Sequence, residues 1–225
     1  MKIYAVMTDN ITIQQMEELL IMLDDERKKK VERIRHEKEK IRSLYAGLLL
    51  RYVFIHEGHD VKEWTDIRVL QEEHGKPYLK GIDDFHYSLS HSGNWIVCAV
   101  DKRPLGVDIQ QMNPWKMNIA ERFYAESEYG KLVSIENEAE RTGQFYCMWA
   151  AKESFAKLTG NGIGSGISQY VANENYEQIY DTKTNKKSAI KIYTTIEGYI
   201  VCGCTDDGIF PDSIEILEGK EVMEP

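Results

Sequence analysis

From residue 12 onward the apolar positions fall into a helical rhythm. Ile13, Met16, Leu20 and Leu23 recur every three or four places, and Thr12 with Gln15 fits a capping box at the start of that helix. A charged stretch from Glu26 to Lys40 follows. Ile41, Tyr45, Leu48, Tyr52 and Ile55 then trace the apolar stripe of a second, longer helix that Gly58 ends. Near residue 85 the period changes to two. Phe85, Tyr87 and Leu89 alternate with His86, Ser88 and Ser90, Ser92-Gly93-Asn94 marks a turn, and Trp95 to Val100 reads as the returning strand. Arg103-Pro104 breaks the chain. Beyond it Leu105, Val107 and Ile109 alternate with Gly106, Asp108 and Gln110, so Asp108 and Gln110 leave one face of a short strand. A helix-rich stretch runs from about Asn118 to Thr159, and Lys191–Ile196 and Tyr199–Thr205 flank Glu197-Gly198 as a hairpin with a two-residue turn. No repeat shows in the letters, yet helices and strands occur on both sides of Arg103-Pro104. The order permits two similar α+β halves with a site between them.

Composition adds bounds. The 225 residues are 42% hydrophobic and 29% charged, enough for one large domain or two small ones and unlike a disordered chain. No apolar run reaches the roughly 18 residues of a membrane span, and Met1-Lys2-Ile3-Tyr4-Ala5-Val6 reads as a strand rather than a signal peptide. A net charge of −9 argues against a general nucleic-acid binder. The four cysteines form no CxxC pair, and Cys202 and Cys204 share a face of one strand, as expected of packing thiols in a reducing cytoplasm. His56 and His59 lack the cysteine partners of a zinc site.

The candidate chemistry lies on two of the expected elements. Phe145, Trp149, Glu153 and Lys157 are spaced by four and share one stripe of a helix. The two ions are open to two readings, a surface pair beyond the edge of the core or a carboxylate that needs a cation. Asp108 sits in mid-strand, where aspartate is unfavourable, and Gly106 clears space on the same face. It is either an edge-strand residue beside a turn glycine or a site carboxylate. Two carboxylates and the amide of Gln110 are hard oxygen donors that suit magnesium, which commonly shares its shell with phosphates. Ser88 to Gly93 is a polar turn or a phosphate contact. Arg27, Lys28, Lys29, Lys30, Arg33, Arg35 and Arg42 are a solvated face or an anchor for a remote phosphate. The glycines from Gly160 to Gly166 follow a helix, which favours a C-cap and a connection over a phosphate loop.

Five segments in order carry a resemblance: Gly75-Lys76-Pro77, Phe85-x-x-Ser88-Leu89-Ser90-His91-Ser92-Gly93, Gly106-Val107-Asp108-Ile109, Arg122-Phe123-Tyr124-x-x-x-Glu128 and Trp149-x-x-Lys152-Glu153-Ser154-x-x-Lys157. Together they make the chain similar to 4′-phosphopantetheinyl transferases of the kind that activates peptide synthetases, the Sfp type. The resemblance covers nearly the whole chain. It implies an α+β fold of two similar α/β halves in a pseudo-two-fold arrangement, residues 1–103 and 104–225, with the active site in the cleft between them. Coenzyme A is then the donor and a serine of an apo acyl or peptidyl carrier protein the acceptor, in a cytoplasmic monomer that needs no membrane or nucleic acid.

By the same resemblance, Asp108 and Glu153 are ligands of Mg2+, with Gln110 where many bacterial members have a third carboxylate. Lys157 meets the phosphates, Ser90 and His91 match positions that hold them, and Arg27, Lys30, Arg42 and Ser43 fall near those that grip the 3′-phosphate end. Lys76 matches a residue beside the adenine. The expected step is in-line attack of the carrier serine on the β-phosphate, with Glu153 as the base and Glu128 as the alternative. Met112 to Met117, with Trp115, Ile119 and Phe123, is either the border of the carrier-docking surface or ordinary core. Two rival readings are a different magnesium-dependent phosphotransfer enzyme and a non-catalytic coenzyme A binder.

Overall fold

The computed structural model describes residues 1–73, 75–162 and 166–224. The part of the glycine-rich segment at 163–165 lies outside the described residues. Gly160 does cap the preceding helix in the left-handed conformation at φ 74°.

The first half opens with strand β1 (Lys2–Met7) and helices α1 (Ile13–Leu20), α2 (Asp25–Arg33), α3 (Glu37–His56) and α4 (Val61–Asp66). Strands β2 (Val69–Gln71) and β3 (Pro77–Leu79) pair as a small hairpin, followed by β4 (His86–Ser92) and β5 (Trp95–Asp101). The capping box of α1 forms as expected, with Gln15 N–H on Thr12 Oγ1 and Thr12 N–H on Gln15 Oε1. The buried face of α1 is Met16 and Leu19, however, while Ile13 lies in solvent. Part of the charged stretch is itself a helix. Asp24 caps α2, acids fill its first turn and bases its last, and Val31 is its one fully buried anchor. Helix α3 has no dry stripe on a wet cylinder. Leu44, Leu48, Leu49, Leu50, Val53 and Phe54 are all fully buried, because the sheet covers one side and α1, α2 and α8 (Gly219–Met223) the others.

After β6 (Leu105–Gln111) come α5 (Met117–Phe123), α6 (Glu126–Ser134) and the 22-residue α7 (Glu138–Thr159). The strands β7 (Tyr170–Ala172), β8 (Gln178–Asp181), β9 (Lys187–Tyr193) and β10 (Tyr199–Thr205) then form antiparallel hairpins. The expected two-residue turn at Glu197-Gly198 is a longer connection. Strand β9 ends at Tyr193, and the turn closes with Tyr199 N–H on the carbonyl of Ile196, while the carbonyl of Gly198 accepts from Met112 N–H rather than from β9.

Beside the β2–β3 pair, two larger sheets result, in the orders β11 (Glu215–Leu217)-β1-β5-β4 and β6-β10-β9-β8-β7. They pack face to face through Ile3, Ala5, Val97 and Ala99 on one and Val107, Ile109, Val201 and Tyr193 on the other. Each sheet carries a long helix on its outer face, α3 on the first and α7 on the second. Strand β11 (Glu215–Leu217) returns from the second half to lie parallel to β1, and Arg51 on α3 donates to the carbonyl of Glu224 at 2.9 Å.

Candidate active site

Helix α7 comes close to its sheet at Gly106. A Cβ there would overlap the carbonyl oxygen of Ser154 and stand 2.7 Å from the amide nitrogen of Leu158, so β6 and α7 touch backbone to backbone. Two residues on, along the same face, Asp108 is 1% exposed. Its carboxylate collects three side-chain donors. Ser90 Oγ and Lys157 Nζ each donate to Oδ1 at 2.7 Å, and Gln110 Nε2 donates to Oδ2 at 2.8 Å. Lys157 also donates to the carbonyl of Val107 at 3.0 Å.

Glu153, one helical turn before Lys157, leans against Asp108. Burial, then the charge of Asp108, push its carboxyl up to about 7, partly offset by Lys157 and by a hydrogen bond from Trp149. Two apposed carboxylates with a single ammonium, that of Lys157 on Asp108, form a site short of positive charge. No cluster of three or more His, Cys, Asp or Glu side chains suited to a metal occurs among the described residues.

The basic residues meet this site at His91. Its ring lies at the surface, yet crowding by neighbouring atoms and then the charge of Arg42 hold it below its ordinary value, and Lys157 and Lys30 add to that. His91 thus feels cations from both directions. Arg42, on α3, donates to the carbonyl of Gly93 at 3.3 Å and pairs with Glu39, but its Nε is buried with no partner, as is the hydroxyl of Ser43 beside it. Arg27 lies across α3 at Gly47, where a Cβ would stand 2.8 Å from its Cγ. Arg27, Lys30, Arg33 and Arg68 line a cleft of about 1200 Å³ that reaches Gly75 and Pro77 on the β2–β3 hairpin. Lys76, between them, donates to the carbonyl of Leu158 at 2.8 Å, in the last turn of α7.

Family profiles match both halves of the chain. One described as "4′-phosphopantetheinyl transferase, N-terminal" covers residues 10–103, and one described as "4′-phosphopantetheinyl transferase superfamily" covers 104–202. The chain is 30% identical to the 4′-phosphopantetheinyl transferase Sfp of Bacillus subtilis (strain 168), over 99% of this chain and 100% of that one. It is 33% identical to the 4′-phosphopantetheinyl transferase psf-1 of Bacillus pumilus, over 99% and 97%. The chain belongs to the 4′-phosphopantetheinyl transferases. A solved holo-[acyl-carrier-protein] synthase of Thermotoga maritima aligns with 45% of this chain and 61% of its own at 17% identity and a TM-score of 0.34, too partial a match to argue from.

In this transferase Asp108, Glu153, Lys157, Gln110 and Ser90 come together, with His91 close by. Glu128 is engaged elsewhere. It is buried and ion-paired at 2.7 Å with Lys152, a lysine with no exposed side-chain surface, and it accepts from Ala125 N–H at the start of α6. Lys152 also reaches the carbonyls of Ile167 and Tyr170, so the pair ties α6, α7 and β7 together. Nothing in the spacing of the sequence marked Lys152 as buried. Trp115 is half-buried against Phe145 and under the guanidinium of Arg141, and Ile119 and Phe123 pack on the same aromatic cluster, with Met117 exposed nearby. No helix among the described residues is long and apolar enough to cross a membrane.

Proposed function

We propose that this chain moves the 4′-phosphopantetheine arm of coenzyme A onto a serine of an apo acyl or peptidyl carrier protein, releasing 3′,5′-ADP. The observation that carries the reading is that Arg42, bonded to the turn at Gly93, and Lys30, on the wall of the cleft, bear on His91 from one side while Lys157, bonded to Asp108, bears on it from the other. A pyrophosphate with a further phosphate at its far end has charges at both places.

The hard oxygens of Asp108 and Glu153, and their shortage of positive charge, fit a magnesium ion. Asp108 and Glu153 would hold it. Gln110, whose amide nitrogen engages Asp108, keeps its amide oxygen for the same task. Once bound, the ion offsets charge that grows on the pyrophosphate. Lys157, Ser90 and His91 bind the phosphates. The 3′-phosphate goes to Arg27, Lys30, Arg42 and Ser43, where the unpartnered Arg42 Nε and Ser43 hydroxyl offer donors, and Lys76 borders the adenine. The carrier serine oxygen forms its bond to the β-phosphorus as the bond to the bridging oxygen breaks and 3′,5′-ADP departs. Glu153, with its carboxyl near neutrality, takes the serine proton. Glu128 is the weaker candidate for that base because Lys152 already holds its carboxylate.

The reading places the enzyme in the cytoplasm as a monomer, in keeping with four free cysteines. The test is incubation with coenzyme A, magnesium and a competent apo-carrier, followed by mass spectrometry of the carrier. A gain of one phosphopantetheine is expected. A carrier that another transferase loads but this one leaves unchanged would overturn the reading.

A further inference from the structure

Strands β4 and β6 are the end strands of the two sheets, and no backbone ladder joins them. Serine side chains join them instead. Ser88 Oγ accepts from Val107 N–H at 3.1 Å and Ser92 Oγ accepts from Gln111 N–H at 2.9 Å, both across a sequence offset of 19, so the strands run side by side in parallel register. Between these two bonds Ser90 donates to the carboxylate of Asp108. The three serines alternate with Tyr87 and Leu89, which pack into the core under α3, so one face of β4 is committed to that core and the other to β6. Their cross-strand partners on β5, Ala99, Val97 and Trp95, belong to or pack against the apolar layer between the sheets.

The need for such a seam follows from β6. One edge of that strand pairs with β10, and the N–H groups on its other edge require acceptors. Val107 is fully buried, so water cannot serve it. A hydroxyl on a short arm takes the place of a carbonyl as the acceptor.

We propose that Ser88 and Ser92 are positioning residues that fix the strand of Asp108 against the strand of Ser90 and His91, and thereby set the gap across which the pyrophosphate is held. The proposal rests on the transferase reading given above. Neither hydroxyl needs to touch substrate. Each acts through the backbone of the residue next to Asp108 or Gln110.

The test compares Ser88→Ala, Ser92→Ala and the double variant with the matching threonine variants, which keep a hydroxyl. Amide hydrogen exchange at Val107 and Gln111 should speed up in each alanine variant at its own position and recover with threonine. In the transfer assay the double alanine variant should lose on the order of tenfold in kcat. It should also need more magnesium for half-maximal rate, with the KM for the carrier unchanged. Ser92 is only half-buried at the strand end, so its variant supplies a folded protein if Ser88→Ala does not. Wild-type exchange at both amides, or a folded double variant with wild-type kcat and magnesium dependence, overturns the proposal. If the wild-type protein transfers nothing, the transferase reading fails by itself and the exchange rates still judge the seam.

Discussion

Helices α3 and α7 do the same architectural work with opposite side chains. They are 20 and 22 residues long, and each lies along the outer face of one sheet. Apart from Ser43 and Arg51, which donates to the carbonyl of Glu224, the surface that α3 buries is aliphatic and aromatic, and Arg42 reaches outward to the hairpin turn at Gly93. Helix α7 buries ions. Lys152 on one side takes Glu128 in an enclosed pair, and Glu153 and Lys157 on another face Asp108 across a backbone contact that only glycine at 106 permits. Burying charge costs stability unless every member is matched. The Lys152–Glu128 pair, charge matched to charge between α7 and α6, ties the fold together. The poorly matched group, two carboxylates for one ammonium, is where the chemistry is expected. The first half supplies an anchor and the second a reaction centre, and that contrast can be broken from either side.

The largest effect should come from the centre of the unmatched group. Asp108→Ala removes the acceptor of Ser90, Lys157 and Gln110 together, and should lower kcat in the carrier-loading assay by about a thousandfold or more. The folded fraction, followed by circular dichroism, should stay near wild type, since the change relieves crowding with Glu153. Next is the matched pair. Lys152→Met leaves Glu128 buried without its cation and should cost about 3–5 kcal/mol in a denaturant titration. Adding Glu128→Leu should return most of that loss. If the double variant then loads carrier at a near-normal rate, Glu128 is excluded as the catalytic base.

How much of this the residues announce differs between the halves for the same physical reason. The site on α7 shows because its ions interrupt a periodic pattern: Asp108 breaks a run of strand formers, and Glu153 and Lys157 continue a stripe begun by Phe145 and Trp149. Helix α3 reads as a stripe of five residues and proves buried on nearly all sides, since a helix enclosed by neighbours has no polar face to define its period. Helix α2 is hidden in a charged run because one valine carries its packing. Lys152 is indistinguishable in sequence from an exposed helical lysine, and its partner is 24 residues away. The serines of β4 were legible only in half. Their alternation with apolar residues marked a strand, but an edge bonded through hydroxyls leaves the same trace as a polar turn.

A smaller effect concerns the cost of the unmatched carboxylates. Glu153 has its carboxyl raised above its ordinary value by burial and by Asp108. Between the unfolded value and about 7 the folded protein therefore holds a proton that the unfolded chain has released, so stability falls as pH rises through that window and levels off above it. Glu153→Gln removes the titrating group. In metal-free buffer at pH 8 it should be more stable than wild type by about 2 kcal/mol, with the advantage vanishing near pH 4. It should also abolish the acidic limb of the rate profile along with most of the rate, whereas near-normal turnover at saturating magnesium would remove Glu153 from the role of base.

The smallest effect tests the anchor. Arg42 presents a buried, unpartnered Nε, and Ser43 an unpartnered hydroxyl, on α3 beside the turn at Gly93. If these hold the 3′-phosphate, Arg42→Ala should raise the KM for coenzyme A about tenfold with kcat little changed, because the interaction is made equally in ground and transition states. With 3′-dephospho-coenzyme A the wild-type and variant enzymes should behave alike, since the group that Arg42 binds is already missing. An undiminished difference would assign Arg42 to the β4–β5 turn that it bonds at Gly93 rather than to the ligand. The titration of His91 separates the two roles further. Arg42 is the leading charge that depresses the imidazole, so its removal should move the His91 midpoint upward in an NMR titration whether or not the 3′-phosphate binds there. An upward shift in the free enzyme, together with a coenzyme A defect confined to the 3′-phosphorylated form, would show that Arg42 of α3 serves the phosphate end of the ligand while its charge also reaches the strand that faces Asp108.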